Sequence, residues 1–478
     1  MRKPARGTLD KAPWLALGAT GFVLAVVFAL GFVPLVQRLF CPIQVQQTES
    51  YMVDRALLFF SGETLYPNPF HGGPYLLTAY PPFYFFLQAL LLKITGGLWL
   101  AGRLLSMAGY LGCGILISVW GWNRWGKVQA LCAALLFLLS PTWALWGSMV
   151  RPDTLSLFLQ FGAFLVLFRD SERGGKAAGI SWGLLGAGLL GGAAVCVKQT
   201  TVSLWLAYGL YSVIRGNWNK RVYFFMGAFL PVAAVFFWEQ WTTHGLYLLH
   251  TGPWLDTGYD FKTLEYFLAH RFLKESALLV LAVVFLWIFA EASLLLKCQV
   301  FFSSLQLLFL GRNGGAENYA LEFWLYGMVF AAEGLWFHPP ELFKTPWKWI
   351  PAPWVLAMAA MLAQNPWPSA PPAEEIRMKQ DASKMYLGPG PYLALDLDLL
   401  VMAGKRIWYQ PVEYQYLYNR GRWEGKPLLD DIRLKKFKSI ELYDLPAQYL
   451  MPSEIVSEIK KDYRPAVREY GRVWYLPN

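Results

Sequence analysis

Apolar runs about 15 to 25 residues long, with few charges inside them, recur from Trp14 to about Gln364 and then stop. As helices, such runs cross the roughly 30 Å of a bilayer's hydrocarbon. They are continuously apolar rather than alternating, which favours helices over a barrel, because a helix satisfies its own backbone hydrogen bonds in lipid. Composition agrees: 56% of the 478 residues are hydrophobic and 15% are charged, against about 25% charged in an ordinary soluble domain. The predicted fold class is an all-α polytopic membrane domain of about eleven helices, residues 1–365, followed by a small α/β domain, residues 366–478. The net charge of +10 is scattered between apolar runs and forms no stripe, so a nucleic-acid partner is not expected. Five dispersed cysteines (Cys41, Cys113, Cys132, Cys196, Cys298) give neither a disulfide framework nor a metal-type spacing.

Loop charges set an orientation. Arg2, Lys3, Arg6 and Lys11 precede the first apolar run, which reads as a signal anchor with a cytoplasmic N-terminus. The segment 37–97 then lies outside and ends in the short apolar stretch Pro82–Leu92. If that stretch is interfacial, Arg124, Lys127, Arg173, Arg215, Arg221, Lys297, Lys344 and Lys348 all fall in inner loops; counting it as a span inverts them. Loop carboxylates, including Glu63, Asp256 and Glu265, then face outside, and so does the C-terminal domain beyond the Pro-rich linker 365–373. In that domain the pattern predicts one element over Leu393–Ala403, strands over Arg406–Tyr409, Ser439–Leu442 and Arg472–Leu476, and helices over Leu428–Lys436 and Pro452–Lys461.

Several ionisable residues map to the outer ends of spans. Glu49 follows the first span and is placed to act as a general base, or alternatively to stabilise a helix N-terminus. Asp54 lies one turn further on. Arg151-Pro152-Asp153 opens the next run but two, where Asp153 offers a second acid or a metal ligand and Arg151 a bidentate phosphate contact; an Arg–Asp helix cap is the competing account. Lys198 ends another run, placed either to snorkel or to pair with phosphate. Arg312 sits in a Gly-rich polar loop with Asn318, Tyr319 and Glu322, a set suited to contacting a substrate. Tyr80, before two helix-opening prolines, is grouped with the phosphate-binding residues, and His244 with the substrate-binding ones; His244 and His250 also offer an acid or metal ligand, against a plain interfacial role. No metal is assigned, though a divalent cation stays open.

In order along the chain, Glu49, Gly62-x-x-Leu65-Tyr66, Tyr80-Pro81-Pro82, Gly102-Arg103-Leu104-Leu105-Ser106, Arg151-Pro152-Asp153 and Lys198-Gln199-Thr200 resemble the glycosyltransferase-39-like membrane proteins of the GT-C superfamily, relatives of protein O-mannosyltransferases and lipid A aminoarabinose transferases. Asn318-Tyr319-x-x-Glu322 and the tail motifs Ala403-Gly404-Lys405, Gln410-Pro411-x-Glu413-Tyr414 and Gly421-Arg422-Trp423 look like a bacterial subgroup. The resemblance implies transfer of a sugar from a polyprenyl-phosphate donor to an envelope acceptor (glycan, lipid or protein), with inversion, on the outer face of the plasma membrane. It also implies a base at Glu49 and an assisting acid at Asp153. Many members have Asp-Glu where this chain has Thr48-Glu49, so Glu49 or Asp54 takes the role, or the core is degenerate. Two other classes remain on the sequence: a scaffold whose outer domain binds a partner, and a transporter or flippase of lipid-linked sugars, which predicts mid-membrane charges and repeated halves.

Overall fold

The computed structural model describes residues 12–68, 70, 72–172, 181–216, 218, 220–253, 258–337, 350–365, 367–444 and 450–478. The expected inner-loop cations Arg173, Lys344 and Lys348, the basic N-terminus and Asp256 lie outside the described residues.

The chain enters the bundle with α1 (Ala12–Leu39), then crosses the loop region through α2 (Glu49–Leu58) and α3 (Pro82–Thr95). The bundle continues with α4 (Leu100–Arg124), α5 (Lys127–Leu138), α6 (Pro141–Gly147), α7 (Asp153–Glu172), α8 (Trp182–Val197), α9 (Ser203–Arg215) and α10 (Val222–Thr242). After the short α11 (Leu246–Thr251) and α12 (Phe261–Tyr266) come α13 (Leu273–Phe289), α14 (Leu294–Gln306), α15 (Leu321–Trp336) and α16 (Pro351–Ala363).

Six of these runs are long and apolar enough to cross a membrane, and α5 with α6, bent by 68°, makes up to seven. Helices α8, α9, α15 and α16 are shorter, at 16, 13, 16 and 13 residues. With these four included, every apolar segment expected from the sequence is helical. Helix α3 has 14 residues, about 21 Å at 1.5 Å per residue, and so belongs by length with these shorter apolar helices. Large apolar side chains such as Phe22, Leu30, Phe237, Trp238 and Trp241 (84% exposed) stand on the outside of the bundle, as expected of a surface in contact with lipid rather than water. This is a multi-pass membrane protein.

Helix α4 gives the bundle its scale. Arg103 pairs with Glu49 near its start and Arg124 pairs with Glu333 and Glu172 at its end. The two arginines are separated by about 31 Å of helix, close to the hydrocarbon thickness. The ionic clusters therefore mark opposite ends of the bundle.

In the C-terminal region α17 (Ala373–Ser383) is followed by β1 (Leu393–Ala394), α18 (Leu397–Met402), α19 (Pro411–Asn419), α20 (Lys426–Arg433), β2 (Ile440–Tyr443), α21 (Ser453–Asp462), β3 (Tyr463–Glu469) and β4 (Arg472–Pro477). The sheet order is β1-β2-β4-β3, with β1 parallel to β2 and the other pairs antiparallel. The single element expected over Leu393–Ala403 is a two-residue strand and a helix, split at Leu395-Asp396, whose N–H groups both donate to the buried Glu441 carboxylate (2.8 and 3.1 Å). The strand expected over Arg406–Tyr409 is instead extended chain that pairs with the 37–97 segment: Tyr75 N–H donates to Trp408 O (2.7 Å), and Gln410 N–H to Tyr75 O (3.0 Å). Tyr75 and Leu77 are consequently part of the C-terminal domain's own apolar core. The domain is stitched onto the bundle rather than tethered by the linker alone.

Candidate active site

The helix ends at one end of the bundle converge because backbones approach closely there. A methyl group on Gly109 of α4 would stand 2.4–2.6 Å from the backbone of Thr154 and Leu155, so only glycine lets the first turn of α7 press against α4. Thr154 Oγ1 donates to Ser106 O (2.7 Å), and Ser106 Oγ donates to Arg151 O (2.7 Å). The 148–152 connection is held from the other side by Arg38 Nε on Ser148 Oγ (2.9 Å) and by Glu49 Oε1, which accepts the Val150 N–H (2.7 Å). Asp153 is thereby fixed as the first residue of α7.

Asp153 is 1% exposed. Its Oδ1 accepts from the Lys198 ammonium, where α8 ends, and from Asn318 Nδ2 (2.8 Å). Its Oδ2 is buried and, among the described residues, has no hydrogen-bond partner. A buried carboxylate oxygen left without a donor is costly unless something else fills the position. The small cleft beside it, with a volume of about 20 Å³, is lined by Asp153, Lys198, Thr201, Asn318, Tyr319 and Glu322, among others. Lys198 also lies over the Tyr319 ring, 5.0 Å from its centroid. Arg151, two residues before Asp153, donates from Nη1 to Tyr80 OH (3.0 Å) and rests 5.3 Å from the centroid of the Trp146 ring, while its Nε is buried and, among the described residues, has no hydrogen-bond partner. One cation, Lys198, and a half-satisfied carboxylate thus line the cleft, with Arg151 near Asp153 in sequence but not in the lining.

Glu322, at the start of α15, is the second carboxylate of the cleft. It accepts from Ser203 Oγ, Gln299 Nε2 (3.1 Å) and Ser303 Oγ (3.4 Å), a hydroxyl and amide setting. Among the described residues no group of three or more His, Cys, Asp or Glu is placed to hold a metal. With Oδ1 of Asp153 taken by an ammonium, the donor set of this cleft does not fit a divalent cation.

The remaining sequence candidates lie elsewhere. Glu49 does not open on the cleft: it is 0% exposed, and it accepts from Arg103 Nε (3.0 Å) and Nη2 (2.8 Å), Val45 N–H (2.6 Å) and Val150 N–H (2.7 Å). A carboxylate has about four acceptor sites, so all of them are taken. Asp54 pairs with Arg55 and accepts the Ile407 N–H (3.2 Å), tying α2 to the C-terminal domain. Arg312 is not among the residues lining the cleft, and among the described residues its guanidinium has no ion pair. His244 is exposed, in the left-handed turn after α10 (φ 51°). His250 is buried: Nδ1 accepts the Thr78 N–H (2.9 Å), and Nε2 is 2.8 Å from Pro67 O, to which it donates. Burial lowers its pKa to about 4.

Sequence reasoning assigned no role to Arg103, although a charge inside an apolar helix is a signal in its own right. All five of its N–H donors are used, on Glu49 and on the carbonyls of Arg38, Cys41 and Ile43.

The family model for dolichyl-phosphate-mannose-protein mannosyltransferases matches residues 79–241, the part that carries Tyr80, Arg151, Asp153 and Lys198. Among solved structures, ArnT from Cupriavidus metallidurans bound to undecaprenyl phosphate aligns with a TM-score of 0.63 at 13% identity, over 96% of this chain and 98% of that one. The oligosaccharyltransferase AglB from Archaeoglobus fulgidus, in complex with an inhibitory peptide and a dolichol-phosphate, aligns with a TM-score of 0.54 at 11% identity, over 96% and 74%. No curated protein sequence matches the chain. The order of helices, the appended C-terminal domain and these two alignments agree, and the architecture is that of the GT-C glycosyltransferase superfamily.

Proposed function

We propose that this protein is a membrane glycosyltransferase that moves a sugar from a polyprenyl-phosphate donor to a hydroxyl of a cell-envelope acceptor, with inversion at the anomeric carbon. The observation that carries the reading is the buried Oδ2 of Asp153, which among the described residues has no hydrogen-bond partner, in a side chain that lines a cleft together with Lys198. In this scheme the acceptor's O–H donates to Asp153 Oδ2, its oxygen bonds to the anomeric carbon, and the bond from that carbon to the phosphate oxygen breaks. The proton ends on Asp153 and the electron pair on the departing polyprenyl phosphate. Lys198, and Arg151 braced by Tyr80, are placed to stabilise charge that grows on that phosphate, which lowers the barrier more than it tightens ground-state binding. Asn318, Tyr319 and Glu322 line the cleft and would contact the sugar.

On this account Glu49 is a positioning residue. Its carboxylate welds α2 to α4 through Arg103 and fixes Val150, and so holds Arg151 and Asp153 in place. The N-terminus is cytoplasmic, and the cleft and C-terminal domain face outward, in line with the inner-loop cations.

The test is incubation of the purified protein in proteoliposomes with labelled undecaprenyl-phosphate hexose and an envelope extract. Transferase activity releases undecaprenyl phosphate and labels an acceptor. Movement of intact donor across the bilayer without cleavage identifies a flippase instead, and binding without either identifies a scaffold.

A further inference from the structure

Glu322 is held by one of its two oxygens. Ser203 Oγ accepts from Gln160 Nε2 (2.9 Å) and Gln299 Nε2 (3.1 Å), so its own proton turns to Glu322 Oε1. Gln299 Nε2 also donates to that oxygen (3.1 Å), and Tyr326 OH fixes Gln160 by donating to its Oε1 (3.1 Å). These four partners are all buried and come from α7, α9, α14 and α15 itself. Glu322 Oε2 has no hydrogen bond among the described residues, in a side chain that lines the cleft. An acid at the end of an apolar span with half of its acceptor capacity unused is costly to keep.

Most donors in the lining of the cleft are already spent. The Ser156 and Thr201 hydroxyls donate to Asp153 O (2.8 Å) and Lys198 O (2.9 Å). Gln306 Nε2 donates to Thr200 O (3.1 Å) and Asn318 Nδ2 to Asp153 Oδ1 (2.8 Å). Two carboxylates therefore share the cleft with one cation, Lys198, which is itself paired with Asp153.

The volume of the cleft, about 20 Å³, is room for one water, which needs at least about 10–15 Å³. A single hydroxyl of a sugar has that size. It also brings the proton that a carboxylate oxygen accepts in a short, charge-assisted bond. A carboxylate carried by the sugar is larger, brings no proton, and adds a third negative charge beside Asp153 and Glu322, so the site discriminates by repulsion as well as by attraction.

We infer that Glu322 is the specificity-determining residue of the site: its Oε2 takes a hydroxyl of the donor's sugar, and its charge turns away sugar acids, so that the donor carries a neutral sugar. This rests on the transferase reading above.

The test uses Glu322→Gln, whose amide oxygen must face the donors Ser203 and Gln299, so that its N–H₂ takes the place of Oε2 and the cleft loses an acceptor and a charge together. Binding of undecaprenyl-phosphate hexose, of the corresponding hexuronate and of undecaprenyl phosphate alone is measured for the full chain in nanodiscs, alongside melting curves. The wild type is expected to prefer the hexose to the hexuronate on the order of tenfold or more, the size of a charge-assisted hydrogen bond. Glu322→Gln should weaken the hexose by a similar factor and strengthen the hexuronate, with the sugarless lipid and the melting temperature unchanged. A wild type that binds the hexuronate as tightly as the hexose overturns the proposal whether or not the variant folds. A folded variant with unchanged preference, or with equal losses on all three lipids, overturns it too, and each of these results leaves the transferase reading standing. A wild type that binds none of the three overturns both.

Discussion

Replacement of Glu49 by Gln separates a structural from a chemical role for the acid that the family resemblance singles out. The substitution removes one negative charge from a pair in which both side chains are 0% exposed. It also turns one acceptor into an N–H₂ group, which must face Arg103 together with the N–H of either Val150 or Val45, donor against donor. Breaking one side of a buried ion pair costs about 3–5 kcal/mol, because the surviving charge stays buried and uncompensated. At about 2 °C per kcal/mol, the lower end for large domains, the apparent melting temperature in detergent should fall by roughly 6–10 °C. Transfer activity should fall in step with the folded fraction and recover on cooling or added lipid. An E49Q protein with an unchanged melting curve and no transfer would refute this reasoning and return Glu49 to the chemistry.

Three further outcomes follow from individual contacts. His250 is neutral when folded, with its pKa lowered to about 4, whereas an unfolded chain takes up a proton near pH 6.5; its contribution is therefore full above about pH 6.5 and is lost as pH falls towards 4, by up to about 3 kcal/mol. Melting temperature against pH should decline across that window and decline less in His250→Gln. Arg472, paired with Asp396 and facing Glu441, anchors the C-terminal sheet, and Arg472→Met should expose that domain to limited proteolysis while the bundle stays intact, at a cost of about 3–5 kcal/mol. Tyr80→Phe removes the hydroxyl that braces Arg151 and should reduce turnover several-fold at unchanged melting temperature, measured as undecaprenyl phosphate release.

The bundle was legible because each span is announced locally, by a continuous apolar run with ionisable residues at its ends. The pairing of Asp153 with Lys198 was legible for the same reason, since ionisable groups at span ends in so apolar a chain need partners, but the same reasoning also chose Arg312, which does not line the cleft. The engagement of Glu49 was not, because its partner Arg103 is 54 residues away and nothing in local spacing pairs them. Helix α19 was missed since Pro411–Asn419 is a short mix of aromatic and polar residues whose helicity depends on docking against Tyr75 and Leu77. Strand β3 was missed because it is mostly exposed and contains Pro465, a residue that ordinarily argues against a strand but sits here at an edge with an irregular register.

The central claim is that Asp153 Oδ2 receives the acceptor's proton, and the most direct measurement is transfer by Asp153→Asn from labelled undecaprenyl-phosphate hexose, alongside its binding of undecaprenyl phosphate. The account predicts a loss of about 100- to 10,000-fold in transfer with lipid binding retained. Transfer at the wild-type rate by a correctly folded D153N protein would contradict it.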